Sequence, residues 1–563
     1  MTRHDDELIF LPLGGLGEIG MNAALYGFGP PRRRKWILVD CGLSFAGPDV
    51  PGVDLIMPDL AFIENMRQDL LAMIVTHAHE DHVGAIAELW PRLRCPVYAT
   101  QFAADLLETR RLGEAGAPEV EMRVYAPGDQ LNLGPFAIEP VRMAHSIPES
   151  VALAIRTPLG VVVHSGDWKI DPTPVAGWST DEARLRQIGD EGVLALISDS
   201  TNILRPGESP SETQVGEELA KIIAQASGRV VVTTFASNVA RMRSVAEAAA
   251  AAGRVVVVVG RAMDRVSQVA RQNGYLNGLP DFLPADAFAN LPRDKVVLLA
   301  TGSQGEPRGA MARIADEDHP AVKLAKGDTV IFSARPIPGN ERSIGGIINK
   351  LVRHGVHVLT DRDALVHVSG HPRRDEVRRL YEWLRPRVAI PAHGEAMHLY
   401  EHADFARAQG VEKALVAMNG DVVALAPGVP AIVDEAPHGR LYLDGNVLVR
   451  EDDEGLRMRR KLAFSGVISV GLALTSKGEL AGDPDVLIAG IPTRARDGRS
   501  MDEIIDKAVF ETIDTLPRAR RRDPDDVATA IERAVRNTVR GVWGKRPQVH
   551  VLVMQVYIQG RGL

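Results

Sequence analysis

The hydrophobic pattern of residues 8 to about 205 consists of short, β-branched apolar runs separated by turn signals. The runs include WILVDCG, LLAMIVT, GVVVHSGD and VLALISDS. Polar residues stand at the carboxyl end of each run, which is typical of buried strands in an α/β domain. Ligand sites in such domains lie at strand ends and in the loops that follow. The pattern therefore predicts an α/β domain with its functional residues after the strands.

Regular alternation of strands and helices begins near residue 210 and continues to about 353. Helix-like ETQVGEELAKIIAQA precedes the strand GRVVVTTFAS, helix-like VARMRSVAEAAAAAG precedes RVVVVVG, and the strands KVVLLATGS and DTVIFSARP follow. This order predicts a doubly wound parallel sheet. The first pattern returns near residue 354, in ALVHVSGH and RVAIPAHGE. We therefore expect the second domain to be inserted into the first.

The last hundred residues predict a small α+β domain. REDDEGLRMRRK is a charged connector, AFSGVISVGLAL and PQVHVLVMQVYI predict strands, and PDDVATAIERAVRNTVRG predicts an amphipathic helix with Pro524 in its first turn. The predicted boundaries are 8–208 and 356–446 for the two parts of the first domain, 209–355 for the insertion, 447–462 for a linker and 463–563 for the C-terminal domain.

Composition narrows the class of protein only slightly. The chain has 563 residues, 45% of them hydrophobic, and a formal net charge of -8. A negative chain is not a general polyanion binder, although a local basic groove is compatible with it. Cys41 and Cys95 are too few for a disulfide framework and predict reduced thiols in a cytoplasmic protein. The first residues lack a signal-peptide pattern and no long apolar run occurs, so we expect no membrane association.

The densest chemistry lies in THAHEDH, directly after the predicted strand LLAMIVT. Alternate residues of an extended loop face the same way, so His77 and His79 are placed to bind one ion, while Asp81 and His82 turn toward a second. Imidazole and carboxylate ligands without thiolates suit zinc or manganese at a hydrolytic site. Four residues cannot saturate two metals, so the motif predicts further ligands.

Three residues downstream are candidates for the missing ligands, because each follows a predicted strand. His145 lies in MAHSIPES, Asp167 in VVVHSGDWKID and His393 in VAIPAHGE. Each by itself is compatible with a capping or core polar residue. Their shared position at strand ends makes a two-metal site the better interpretation.

This combination resembles the metallo-β-lactamase superfamily, whose fold is an αββα sandwich. The resemblance implies two zinc ions, with manganese or magnesium as alternative activating ions, and it makes Asp40 in ILVDCG a residue that supports the ligands from behind. It also divides the ligands: His77, His79 and His145 for the first metal, Asp81, His82 and His393 for the second, and Asp167 bridging both.

Three further positions resemble the β-CASP nuclease branch of this superfamily. They are Asp199 in LISDSTN, His371 in VHVSGH and His393. A histidine at the third position is typical of the members that process RNA. A domain inserted between Asp167 and His393 would also roof the metal site and form a cleft suited to a polymer.

The closest resemblance is to the bacterial ribonuclease J family. It rests on LGGLGEIGMN, SDSTN, TFASN, TGSQGEP, PIPGNE, HVSGH and PAHGE, which span nearly the whole chain. SARPIPGN departs from the family pattern, in which a more serine-rich stretch is expected at this position. GRAMDRV is interpreted as a variant of the corresponding segment of the family. The glycine-rich LGGLGEIG has poor spacing for a nucleotide-binding loop and is interpreted as a tight turn near the metal loops.

The family implies a 5′-to-3′ exonuclease that prefers 5′-monophosphorylated RNA and also cleaves internally, acting in RNA decay and in the maturation of rRNA and mRNA. A hydroxide activated by two metals attacks the phosphodiester and leaves 5′-phosphate products. Asp81, Asp199 and His371 are the implied catalytic residues, with His371, oriented by Asp199, assisting the leaving oxygen. The implied pocket for the RNA end comprises His367, Val368, Ser369, Gly370 and His371, closed by Ser237 and Asn238.

The resemblance further implies a homodimer or homotetramer formed through the C-terminal domain, single-stranded RNA as substrate, and other proteins of RNA degradation as partners. Two alternatives remain from the residues alone. A small-molecule metallohydrolase, such as a thioesterase or lactonase, needs neither the insertion nor His371. An RNA-binding scaffold with an inactive metal site conflicts with the complete ligand set.

Overall fold

The computed structural model describes residues 5–47, 49–337 and 339–556 of the chain. The chain divides into two compact units. The first contains the residues up to Ser44 together with Ile56–Leu441, and the second contains Phe45–Leu55 and the residues from Tyr442 onward. The short strands Ser44–Phe45, Leu55–Pro58, Arg440–Asp444 and Val447–Arg450 lie where the chain passes between the units.

Two large sheets form the centre of the first unit, and the apolar side chains between them form its main core. Tyr26, Ile37, Leu153 and Ile197 are fully or almost fully buried there. In spatial order, the eight-stranded sheet comprises Ala431–Glu435, Asp421–Ala426, Glu7–Gly14, Ala23–Gly29, Lys35–Val39, Leu70–Ile74, Val97–Ala99 and Met122–Val124. The seven-stranded sheet comprises Leu131–Leu133, Phe136–Arg142, Val151–Thr157, Gly160–His164, Val193–Asp199, Val388–Ala392 and Lys413–Ala414.

Helices cover the outer faces of the two sheets. Val377, Leu380 and Trp383, for example, pack in a second apolar cluster with Val163 and Leu196 of the seven-stranded sheet. This arrangement confirms the predicted αββα sandwich. The helices are Ala61–Glu64, Glu80–Val83, Ile86–Leu93, Gln101–Gly113, Glu182–Glu191, Arg374–Leu384 and Ala396–Ala408.

The inserted segment forms a parallel sheet with its own core, as the strand–helix alternation predicted. Its first helix begins at a capping box, in which the Ser211 hydroxyl and the Gln214 side chain bond the opposite backbone N–H groups. In spatial order the strands are Val255–Val259, Val296–Ala300, Val230–Thr233, Thr329–Phe332 and His357–Leu359. The last of them lies beyond residue 355, where the insertion was predicted to end, because it pairs with Thr329–Phe332. The helices are Glu212–Gln225, Val239–Ala251, Arg261–Gln272, Ala310–Ala315 and Glu341–Arg353.

The second unit contains the predicted small α+β domain. The central strand Val467–Thr475 pairs with Asp485–Ala489 on one side and with Gln548–Val556 on the other. The helices Met501–Thr515, Arg518–Arg521 and Pro524–Trp543 complete it, and Asp523 caps the last of these. Residues 557–563, the end of the predicted C-terminal domain, lie outside the described residues.

Two further stretches differ from the sequence-based expectation. The expected linker 447–462 forms the strand Val447–Arg450 and most of the helix Glu454–Ser465, whose charges face outward while Leu456 is buried. ALVHVSGH has no strand, because its backbone groups bond to side chains instead of to a neighbouring strand. Among the described residues, no helix is both long and apolar enough to cross a membrane.

Candidate metal centre

The THAHEDH segment leaves the sheet at the end of the strand Leu70–Ile74. His77 is fully buried, and His79 directly precedes the short helix Glu80–Val83 that carries Asp81 and His82. His77 and His79 group with His145 and Asp167, whereas Asp81 and His82 group with Asp167 and His393.

The first group of side chains consists of three imidazoles and one carboxylate: His77, His79, His145 and Asp167. His79 Nδ1 lies 3.1 Å from His77 Nε2 and 3.0 Å from His145 Nε2. Nitrogens bound tetrahedrally to one zinc at about 2.0–2.1 Å are about 3.3 Å apart, so this spacing fits a shared ion.

The second group consists of Asp81, His82, Asp167 and His393. Asp167 Oδ2 lies 3.2 Å from His82 Nε2, and Asp167 Oδ1 lies 3.0 Å from His393 Nδ1. Asp81 Oδ2 lies 3.2 Å from His393 Nε2. Asp167 belongs to both groups, which places its carboxylate where a bridging ligand would lie. The donor set, imidazole and carboxylate without thiolate, fits two divalent metals of the zinc or manganese type.

His393 owes its position to the neighbouring strands. Asp199 and Ala392 are register partners in a parallel pair, so His393 and Asp199 leave the same edge of the sheet together. The backbone of His393 has a positive φ of 51°, which turns its ring back toward Asp167. A non-glycine residue in this region is uncommon and often marks a functional site.

A third group of side chains shares Asp167 and His393 with the second group and adds Asp199 and His371. His371 Nδ1 lies 2.7 Å from Asp199 Oδ2 and 3.8 Å from Asp167 Oδ2. Asp199, His371, His393 and Asp167 are all close enough to share an ion, so His371 stands directly beside the second metal position. The structure thus brings together every predicted ligand and both further β-CASP positions.

Asp40 supports the ligands from the interior of the sandwich. Its φ is +62°, and its carboxylate accepts hydrogen bonds from the Thr76 N–H at 2.7 Å and the Thr76 hydroxyl at 2.9 Å. His82 Nδ1 lies 2.7 Å from the same carboxylate. A proton held on Nδ1 by Asp40 leaves Nε2 of His82 free as a metal ligand.

Three supporting residues were missed by the sequence analysis. Thr76 fixes Asp40, Asn22 donates to the Asp81 carbonyl at 3.0 Å, and the Thr201 hydroxyl donates to Asp199 Oδ1 at 2.7 Å while lying 3.2 Å from His393 Nδ1. Asn22 and Thr201 stand inside the quoted motifs LGGLGEIGMN and SDSTN. Their position in those motifs was the available signal, but Asp81, which Asn22 contacts, and His393, which lies beside Thr201, are remote in sequence.

Burial and neighbouring charge separate the histidines into two classes. Burial lowers the pKa of His77 and His145 well below the usual range and lowers that of His79 to about 4, which favours the neutral, metal-binding imidazole. Burial also opposes protonation of His371 and His393, but adjacent carboxylates outweigh it. Asp199 raises the pKa of His371, and Asp167 raises that of His393.

The 367–371 loop touches the first metal group directly. His145 Nδ1 lies 2.7 Å from the Gly370 carbonyl oxygen, and a Cβ on Gly370 would lie 2.6 Å from His145 Cε1. Asn202 fixes the loop from the other side, with its amide donating to the Ser369 hydroxyl at 2.9 Å and to the His371 carbonyl at 3.1 Å. Only glycine fits at position 370 without displacing a predicted ligand.

The remaining residues of the predicted pocket differ in burial and in their hydrogen-bond partners. Val368 is buried, and His367 is half-buried with a Nδ1 atom that has no hydrogen-bond partner in the described part of the chain. Asn238 uses its side-chain oxygen to cap the helix Val239–Ala251, and Ser237 is half-buried. Among the hydrogen bonds of the described residues, none joins Ser237 or Asn238 to the 367–371 loop.

The glycine-rich LGGLGEIG lies beside the metal centre. The strand Leu16–Gly17 pairs with Gly394–Glu395, directly after His393. A Cβ on Gly14 would lie 1.8 Å from the Met21 carbonyl oxygen, so the turn requires glycine there. This agrees with a tight turn and not with a nucleotide-binding loop.

Three half-buried arginines flank the 367–371 loop. Burial lowers the pKa of Arg205, and Arg335 and Arg373 lower it further, while Asp361 is a nearby acidic neighbour of Arg205 and Arg335. Arg335 Nε lies 3.7 Å from Asp361 Oδ2. Within the described residues, no carboxylate lies within ion-pair distance of the Arg205 or Arg373 side chain. The region is therefore rich in positive charge, although the whole chain is negative.

Comparison with known proteins agrees with this architecture. Four family models match: the metallo-beta-lactamase superfamily over residues 22–170, the beta-CASP domain of ribonuclease J over 227–351, the Zn-dependent metallo-hydrolase RNA specificity domain over 355–416, and the ribonuclease J C-terminal domain over 455–556. A protein of unknown function from Enterococcus faecalis V583 has a similar fold, with a TM-score of 0.52 and 14% identity over 74% of this chain and 100% of that one.

The fold and the His/Asp centre define a metallo-β-lactamase-type nuclease with an inserted β-CASP domain. Curated relatives identify the family. Ribonuclease J of Sinorhizobium meliloti is 52% identical over 98% of both chains, and ribonuclease J of Synechocystis is 40% identical over 86% of this chain and 76% of its own. The chain belongs to the ribonuclease J family.

Proposed function

We propose that this protein degrades single-stranded RNA from a 5′-monophosphorylated end in the 5′-to-3′ direction and also cleaves RNA internally. The observation that carries the proposal is the position of His371, 2.7 Å from Asp199 and 3.8 Å from the shared carboxylate Asp167. An acid group fixed beside a two-metal ligand set can protonate the 3′-oxygen that leaves in phosphodiester hydrolysis, whereas the thiolate that leaves from a thioester needs no proton.

The chain's own residues divide the reaction between them. Two divalent metals, for which zinc suits the imidazole and carboxylate donors best, would activate the attacking water and stabilise charge on the phosphoryl oxygens. Water gives up one proton and adds to phosphorus as hydroxide, the bond from phosphorus to the 3′-oxygen breaks, and His371 donates a proton to that oxygen. Asp199 holds the His371 ring, and Asp81 would supply a metal ligand beside His393. The products are a 5′-phosphate and a 3′-hydroxyl.

The 367–371 loop is the proposed pocket for the terminal phosphate. Ser369 offers a hydroxyl that accepts a hydrogen bond from Asn202 and can donate its own proton to a phosphate oxygen. The arginines at positions 205, 335 and 373 support this assignment, because guanidinium groups attract and bind phosphate, and those of Arg205 and Arg373 have no carboxylate partner among the described residues. Internal cleavage then requires only that RNA reach the metals without using this pocket.

Self-association through the C-terminal domain is part of the proposal. One face of its three-stranded sheet packs on the helices, and the other presents Leu487, Leu552 and Met554, which are 68%, 71% and 62% exposed. The register places these side chains opposite Ser469, Gly471 and Ala473 on the same open face. A second copy of the chain would remove this apolar face from water in a dimer or tetramer.

We infer the cellular compartment of the protein from its two cysteines. Cys41 and Cys95 are buried, free thiols, which supports a reducing compartment such as the cytoplasm. Other proteins of RNA degradation remain proposed partners, by analogy with the family.

The function is tested with one RNA sequence carrying a 5′-monophosphate, a 5′-triphosphate or a 5′-hydroxyl, and with DNA of the same sequence. We expect mononucleotides to be released mainly from the monophosphorylated RNA. Chelation should stop the release, and zinc or manganese should restore it. Intact RNA in the presence of metal, together with hydrolysis of a thioester, would overturn the proposal.

A further inference from the structure

A fully buried arginine in the inserted domain lies at the base of the 367–371 loop. Arg241, on the helix Val239–Ala251, bonds the Glu212 carboxylate at 3.1 and 3.3 Å. Its guanidinium also donates to the carbonyl oxygens of Ser333 at 3.0 Å and Val366 at 2.9 Å, and to the Ser333 hydroxyl. The two terminal nitrogens of this guanidinium bond acceptors on three segments, and these bonds hold the segments in one geometry.

Val366 is the residue directly before the loop, and its carbonyl oxygen is held twice. Besides the bond from Arg241, it accepts the Ser333 hydroxyl at 2.6 Å. The inserted domain therefore fixes the beginning of the loop. The end of the loop is fixed by the sandwich, where His145 contacts Gly370 and Asp199 contacts His371.

The same polar network continues to the segment that follows Asp167. The Glu212 N–H donates to Asp171 Oδ2 at 3.0 Å, and Lys169 Nζ lies 2.8 Å from the same oxygen. Lys169, Asp171 and Glu212 are each at most 2% exposed. A continuous buried path thus joins the segment that carries the shared metal ligand to the base of the loop.

We infer that Arg241, paired with Glu212, is a positioning residue that sets the separation between the 5′-phosphate pocket and the metal centre. The inference rests on the proposed exonuclease function. Release of one nucleotide at a time requires a fixed separation, and a displacement of about 1 Å at a reacting centre can cost about 100-fold in rate. Internal cleavage requires no such separation, and the sandwich contacts at the far end of the loop, His145 with Gly370 and Asp199 with His371, remain when Arg241 is removed.

The matched control is Arg254, a second buried arginine of the inserted domain. Its guanidinium donates to the Gly228 carbonyl at 2.8 Å and to the Ala226 carbonyl, and it makes no hydrogen bond to the 366–371 segment. Arg254→Met therefore removes a buried guanidinium from the same domain without releasing the loop. Ser333→Ala is a milder variant that removes one of the two bonds to Val366.

The test compares two substrates of one sequence for each variant, a linear 5′-monophosphorylated RNA and a circular RNA without ends. For Arg241→Met we expect kcat/KM on the linear RNA to fall about 10- to 100-fold more than the rate on circular RNA. Ser333→Ala should shift the ratio in the same direction by less, Arg241→Lys should restore part of it, and Arg254→Met should leave it unchanged. The ratio is insensitive to the fraction of folded protein.

A second measurement does not depend on catalysis. Hydrogen exchange of peptides containing residues 366–371 should be faster in Arg241→Met than in Arg254→Met. If wild-type protein cleaves neither RNA, the proposed function fails, and hydrogen exchange alone decides the positioning role. An unchanged ratio of the two activities, or equal exchange in the two variants, overturns the inference.

Discussion

His145 Nδ1 lies 2.7 Å from the carbonyl oxygen of Gly370, although 225 residues separate them in the chain. A proton on Nδ1, held by this carbonyl, leaves Nε2 of His145 to face His79 and the first metal position. The loop proposed to hold the RNA end therefore also orients a proposed metal ligand, and the two parts of the site are mechanically joined.

Gly370→Ala should damage both parts together. The added Cβ would lie 2.6 Å from His145 Cε1 and 2.7 Å from Ser146 Oγ, so the ligand or the loop must move. We expect about a 100-fold loss of cleavage on linear and circular RNA, with reduced metal content by mass spectrometry. Gly345→Ala, in the helix Glu341–Arg353 with nothing within 4 Å of its Cβ, is the control and should keep full activity. Normal activity of Gly370→Ala would contradict the contact.

Asp40→Asn should weaken metal binding without removing a ligand. An asparagine in place of Asp40 offers one acceptor oxygen where Thr76 and His82 now use two, so His82 is no longer held with its proton on Nδ1. Loss of such a supporting carboxylate typically lowers metal affinity about 10- to 100-fold. Competition with a chelator measures it. Asp328→Asn, a buried aspartate of the inserted domain bonded by Arg229 N–H and Arg293, should keep wild-type metal affinity.

Ser369→Ala should separate end-dependent degradation from internal cleavage. The hydroxyl is a proposed phosphate contact, and hydrogen bonds to a charged group contribute roughly 1.5–3 kcal/mol, or about 10- to 100-fold in rate. We expect that loss on 5′-monophosphorylated RNA and a much smaller loss on circular RNA. Ser267→Ala, whose hydroxyl bonds only within the helix Arg261–Gln272, serves as the control. Equal losses on both substrates would argue against an end-binding pocket at Ser369.

The buried side chain of His402 should make the stability of the folded protein depend on pH. It is fully buried between Ser200 Oγ and Tyr381 OH, each 2.8 Å from a ring nitrogen, and burial lowers its pKa to about 4. Because the unfolded chain binds a proton near pH 6.5 and the folded chain does not, stability falls as pH drops from about 6.5 to about 4. Between pH 7 and pH 5 this amounts to about 2 kcal/mol.

His402→Gln removes this contribution. The difference in urea-unfolding free energy between the variant and the wild type should therefore shrink by about 2 kcal/mol from pH 7 to pH 5. The comparison cancels the other titrating groups, which the two proteins share. A difference that does not change with pH would show that His402 is not held neutral in the folded protein.

Leu552→Lys should reduce self-association. A lysine at the centre of the exposed apolar face would have to lose its hydration in any interface that covers the face. We expect a smaller molar mass by light scattering at equal concentration, with an unchanged far-UV circular dichroism spectrum. Phe510→Lys, a partly exposed residue of the helix Met501–Thr515, is the comparison and should keep the wild-type mass. An unchanged mass for Leu552→Lys would place the interface elsewhere.

Much of the fold could be predicted from local patterns. The strands that carry THAHEDH and Asp167, and the strand–helix alternation of the insertion, are visible as apolar runs with polar carboxyl ends. The helix within residues 447–462 could not be predicted from the local pattern, because a charged surface helix has nearly the same composition as a linker. ALVHVSGH was also misleading, because an apolar run resembles a strand until its hydrogen-bond partners are known.

The sequence by itself determined the types of side chain from which the centre is built. Histidines and aspartates at strand ends predict a two-metal hydrolytic site, and the spacing of THAHEDH divides its four residues between the two positions. Only the tertiary structure decided how these ligands are held. Thr76 and Asp40, His145 and Gly370, and Arg241 and Val366 meet through contacts between residues 36 to 225 positions apart. Such pairs leave no periodic trace in a single chain, because distance in space between two remote residues depends on how every sheet and helix between them packs.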